Sequence, residues 1–132
     1  MDAVAALHEF VRHWAMLNRL QPELLLGGAD LAGHEALARD KLCFVLHGLT
    51  RAPDALVGKA LSLPWHAVMQ SRHRFSQRFG ANPIVQASTE ATVRLACADE
   101  ACIAQLVMAI ATHRMFDLAN STPLAITASR PA

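Results

Sequence analysis

From Ala55 to Thr89 the chain has no carboxylate, although Lys59, Arg72, Arg74 and Arg78 lie there with His66 and His73. Over all 132 residues acids and bases nearly cancel, at a formal net charge of +1. Bulk charge therefore gives no sign of an anion-facing surface, whereas its local arrangement does. Cysteine is scarce and unpaired in pattern. Cys43, Cys97 and Cys102 are odd in number and form no C-x-x-C, which argues against a disulfide framework and fits a reducing compartment. No apolar run approaches the roughly 18 to 20 residues of a membrane span. The start, Met1-Asp2, runs directly into an amphipathic pattern without a basic region and apolar core, so no signal peptide and a cytoplasmic location are expected.

Catalytic signatures are missing too. No G-x-x-x-x-G-K or G-x-G-x-x-G occurs, Gly27-Gly28 is too short to cradle a phosphate, and no elbow frames a serine. The seven histidines include His8 and His13, five apart, and His66 and His73, seven apart. Neither pair has the i, i+4 spacing of a helical metal site. Cys102, near the start of a predicted helix, is read as a small buried hydrophobe rather than a reactive thiolate. No enzyme, cofactor or metal is expected.

What the chain does have is apolar residues, 53% of the total against 17% charged. One domain spanning 1–132 can bury a real core, and the apolar surplus on so short a chain predicts self-association, at least a homodimer. The pattern predicts a mainly α (α+β) fold. Asp2 caps a first helix to about Leu20, with Val4, Leu7, Val11 and Trp14 on its apolar stripe. After Gln21-Pro22 and the Gly27-Gly28 turn, Asp30 is expected to cap a second helix from about Ala32 to His47. The run Leu42-Cys43-Phe44-Val45-Leu46 goes to the core, as helix or as a buried strand. Pro53-Asp54 opens a third helix through Leu61, and Pro64 opens a fourth that Gly80 closes. Beyond Asn82-Pro83 the pattern changes to period two, at Ala91, Val93, Leu95 and Cys97 and again at Leu124, Ile126 and Ala128. With a helix from Asp99 to about Leu118 between them, segment 84–129 is expected to form a strand–helix–strand unit, with Ile84 to Ala87 as an extra edge. Residues 1–80 form the helical part.

Residues 54–79 have the layout of a helix-turn-helix. A short helix, the turn Ser62-Leu63-Pro64 and a longer helix from Trp65 follow one another, with small Gly58 where two helices must approach and Leu61, Leu63 and Val68 as a small core. The run from Leu61 to Val68 resembles the turn and start of recognition helices in bacterial regulators and initiators. It departs from them in Ser62, where Gly is usual, and in Ser71, where an apolar residue is expected. At roughly 100° per residue Trp65, Val68, Met69, Phe75 and Phe79 share one face. His66, Gln70, Ser71, His73, Arg74, Gln77 and Arg78 share the other and are the predicted nucleic-acid contacts. Arg and Gln make bidentate contacts to guanine and adenine, and Ser and His suit phosphates or base edges. The alternative is that these bases pair with acids of the fold. Arg72 falls within the apolar stripe and needs a partner, expected to be Asp40 or Glu35, unless it snorkels to an edge or binds an anion.

Two functions follow. One is a small DNA-binding regulatory protein that acts as a dimer through its C-terminal unit, with double-stranded DNA as partner and RNA as a variant. The other is a non-catalytic protein-interaction module such as a chaperone, an adaptor or a small subunit of a larger complex, for which the apolar surplus and scattered Met residues speak.

Overall fold

A computed structural model describes residues 2–96 and 104–115, and all of the regular structure among them is helical. The helices are α1 (Ala3–Leu17), α2 (Pro22–Leu26), α3 (Gly33–Thr50), α4 (Asp54–Leu61), α5 (Trp65–Phe79) and α6 (Pro83–Ala96), followed by α7 at 104–115. Asp2 caps α1 as its sequence predicts, its Oδ1 accepting from the Ala5 N–H at 2.8 Å. Leu7, Phe10, Val11 and Trp14 then bury one side of that helix almost completely. At roughly 1.5–3 kcal/mol for each fully buried large side chain, this face anchors the fold. The indole of Trp14 donates to the Ala38 carbonyl at 3.2 Å, so its one polar atom is satisfied inside the core.

α3 carries the run Leu42-Cys43-Phe44-Val45-Leu46 as helix, not strand, with Leu42, Cys43, Val45 and Leu46 buried. A helix apolar on several sides must be covered from several sides, and α5, α4 and α6 do this. Its N-cap is Ala32 rather than Asp30. α7 joins the core through Leu106 and Ile110. No helix among the described residues is long and apolar enough to cross a membrane.

The C-terminal strand–helix–strand expectation is overturned. Ile84 to Ala87 and Ala91 to Ala96 lie within the single helix α6, and no strand occurs among the described residues. Two local causes explain the reversal. Pro83 stands at the first helical position, where its missing N–H costs nothing. Asn82 Oδ1 accepts from the Ile84 and Val85 N–H groups at 2.9 and 3.3 Å, capping the helix. Within the helix Thr89 and Thr92 return their hydroxyls to the Val85 and Ser88 carbonyls. The alternation of Ala91, Val93 and Leu95 came from too short a window to separate the two periods. The second expected strand, Leu124 to Ala128, lies outside the described residues.

Candidate functional site

The α4–α5 segment is joined by three residues, Ser62-Leu63-Pro64. Ser62 adopts the left-handed conformation (φ 59°), and both its own N–H and that of Leu63 return to the Gly58 carbonyl. That pattern closes α4 and turns the chain sharply into α5. Two glycines make room for the turn. A Cβ on Gly58 would collide with the Leu63 carbonyl oxygen, and one on Gly28 with that of Ser62, both well inside 3.0 Å. Pro64 then caps α5 from an extended conformation.

Beneath the turn, α5 buries Val68, Ser71 and Phe75. Phe75 lies between Phe44 of α3, at 5.0 Å between centroids, and Phe79, at 5.2 Å, with the rings tilted to one another in both pairs. Trp65, which the helical wheel assigns to the apolar face, is 56% exposed and meets His66 edge to face.

The predicted contact residues divide into two sets. His66, Gln70, His73 and Gln77, spaced four, three and four apart, form one exposed stripe. Ser71, Arg74 and Arg78 lie beside it on the flank towards α3. Ser71 is only 1% exposed and donates its hydroxyl to Asp40 Oδ1. Arg74 grips the same carboxylate with Nε and Nη2, each at 3.0 Å, although its side chain keeps 59% exposure. Arg78 is exposed, with its guanidinium 5.1 Å from the Phe79 ring centre.

Arg72 has a salt bridge, as its place in the apolar stripe requires, but neither to Asp40 nor to Glu35. Its Nε and Nη2 donate to Asp54 Oδ1 and Oδ2 at 2.8 and 2.9 Å, across to the first turn of α4. These bidentate bonds raise the Arg72 pKa above the ordinary guanidinium value, and those to Asp40 do the same for Arg74. Sequence reasoning missed Asp54 because it stands just before the acid-free stretch and looks like a helix-start residue.

Further groups surround this framework. Cys43 packs against Ser71, and its burial pushes the thiol up to about 12. His47 in the last turn of α3 is half-buried, and desolvation first, then the charge of Arg72, lowers its pKa. Neither was a candidate from sequence. His8 is committed elsewhere, with its Nε2 at 2.9 Å from the Ala60 carbonyl. Among the described residues no three His, Cys, Asp or Glu side chains are grouped to hold a metal ion.

No family model matches the chain, and neither does any curated protein or solved structure.

Proposed function

We propose that this chain is a DNA-binding regulatory protein in which α4, the Ser62 turn and α5 act as a helix-turn-helix. The observation that carries the reading is the division of charge on α5. The two carboxylates that bond to this helix, Asp40 and Asp54, are both gripped bidentately by Arg74 and Arg72 at its flanks. Its outward stripe of His66, Gln70, His73 and Gln77 is left free of acid, with exposed Arg78 beside it. Such a stripe suits base edges in a major groove better than it suits phosphates, since it is rich in hydrogen-bonding groups and poor in fixed charge. The left-handed turn at Ser62 supports the same reading, because it gives rigidity to the angle at which the stripe is presented.

The test is binding of a panel of duplexes of different sequence by fluorescence anisotropy between about 50 and 200 mM salt. A His66→Ala/Gln70→Ala variant is expected to lose sequence preference while keeping its melting midpoint. An Arg78→Ala variant should weaken binding to all sequences and reduce the salt slope by about 1. A homodimer on one duplex would show roughly twice the slope of a single copy. Arg74→Ala is a poor probe, since it also strips a partner from buried Asp40.

The interaction-module alternative has its own observation. A shallow apolar groove of about 300 Å³ runs between α3, α5 and α6, lined by Leu37, Phe75, Phe79, Ile84 and Val85, with Ile84 81% exposed. Absence of duplex binding even at low salt would favour that alternative.

A further inference from the structure

The groove between α3, α5 and α6 combines apolar walls with a single charge. Buried Phe75 and half-buried Phe79 form its α5 wall, and Ile84 and Val85 its α6 wall. Leu37 lines it from α3, and Lys41, one helical turn further on, is the one charged residue among the described residues of its lining. Ser88 adds a hydroxyl from α6. At about 300 Å³ the groove has the volume of a small-ligand site, whereas a protein partner needs about 800 Å² of face.

Lys41 is the residue that selects the ligand. It is half-buried, with its ammonium 5.8 Å from the centre of the Trp14 ring. Neither salt bridge among the described residues involves it. Desolvation lowers its pKa, and no carboxylate among the described residues offsets this. A ring face gives such a cation only part of what a counter-ion gives, and a carboxylate supplies the rest. The apolar walls are open as well, with Leu37 38% and Ile84 81% exposed, so an apolar tail gains by covering them. One positive charge beside a short apolar trough matches one negative charge on a short apolar tail. We propose that this groove binds a small amphipathic carboxylate, with its headgroup at Lys41 and Ser88 and its tail against Phe79, Ile84 and Val85. The site is distinct from the outward stripe of α5 and does not rest on the DNA-binding reading.

The experiment titrates the full chain with octanoate below its micelle concentration and follows the amide resonances by NMR. Octanol and acetate serve as controls for the tail and the headgroup alone. Octanoate is expected to shift the groove residues, octanol to bind about tenfold more weakly, and acetate not to bind over the same range. Lys41→Met keeps an apolar stem over Trp14 and removes the charge. It should weaken octanoate by about tenfold, as loss of one charge-assisted hydrogen bond implies, and leave octanol unchanged. Ile84→Ser, at an exposed position, should weaken octanoate and octanol alike by several-fold. Melting midpoints confirm that both variants fold. The proposal is overturned if octanoate leaves the groove resonances unmoved, if octanol binds as well as octanoate, or if Lys41→Met binds octanoate like wild type. Sedimentation tests the other occupant. A dimer that Ile84→Ser dissociates and octanoate does not would make the groove a contact between two copies, and would overturn the proposal too.

Discussion

Gly28 and Ser62 meet backbone to backbone, and a Cβ on Gly28 would press into the Ser62 carbonyl oxygen. Gly28 also has φ +69°, so an L side chain there is strained before any collision. Gly33 has a similar φ of +58° but nothing within 4 Å of its hypothetical Cβ. The pair separates strain from collision. Gly33→Ala should cost about 1 kcal/mol, and Gly28→Ala about 2 kcal/mol or more, in urea denaturation. Equal losses would show that the Gly28 contact does not hold the α4–α5 turn.

Ser62 pays a conformational penalty at that same turn, with φ 59° in a residue that has a Cβ. Ser62→Gly removes the penalty of roughly 1–2 kcal/mol and returns somewhat less as unfolded-chain entropy. The expected result is a modest rise in melting temperature. A fall would mean that the serine side chain contributes a contact of its own.

Asp40 is 8% exposed and serves both Ser71 and Arg74. Asp40→Ala is expected to cost about 2–4 kcal/mol, because it leaves a buried hydroxyl and a guanidinium without their acceptor. Double-mutant cycles divide that loss. The Arg74 side chain is 59% exposed, so its coupling to Asp40 should be below about 1 kcal/mol. Coupling to buried Ser71 should be the larger of the two. The reverse order would make Arg74 the structural partner and Ser71 incidental.

Helices α1, α3, α4 and α5 were legible from local signals such as Asp2 at a cap, Pro64 before a first turn or Gly80 at an end, whereas the short α2 was read only as a segment before a turn. The succession of α4, a tight turn and α5 was legible for the same reason, since Gly58 and the Ser62-Leu63-Pro64 turn are local features. α6 was not, because Ala91, Val93 and Leu95 fit either period over so short a stretch, and Asn82-Pro83 acts both as a stop and as a start. On α5, periodicity placed His66, Gln70, His73 and Gln77 correctly on one exposed face. It could not reveal that Ser71 and Arg74 turn towards Asp40, more than 30 residues away in the chain, because ion-pair partners across helices leave no spacing signal. His47 was missed for that reason too, since only the packing of α3 against α5 brings it within the field of Arg72.

Cys43 should be chemically silent in the native chain. It is 1% exposed, and burial holds its thiol up to about 12, so almost no thiolate exists at neutral pH. In a Cys97→Ser/Cys102→Ser background, a thiol-reactive dye should label the protein only as fast as the α3–α5 region opens. Labelling should therefore accelerate with urea. Fast labelling in native buffer would contradict the tight seating of α3 under α5.

His47 should give the fold a pH dependence of definite sign. Desolvation, with Arg72 close by, lowers its folded-state pKa below the ordinary 6.5. The unfolded chain then holds the proton more tightly than the folded one, so acidification favours unfolding. The stabilising contribution is complete above about 6.5 and is lost as pH falls below that value towards the lower folded one. Urea midpoints in phosphate-free buffers should accordingly fall with pH more steeply for wild type than for His47→Gln. Parallel curves would mean that His47 is as free to protonate in the fold as outside it.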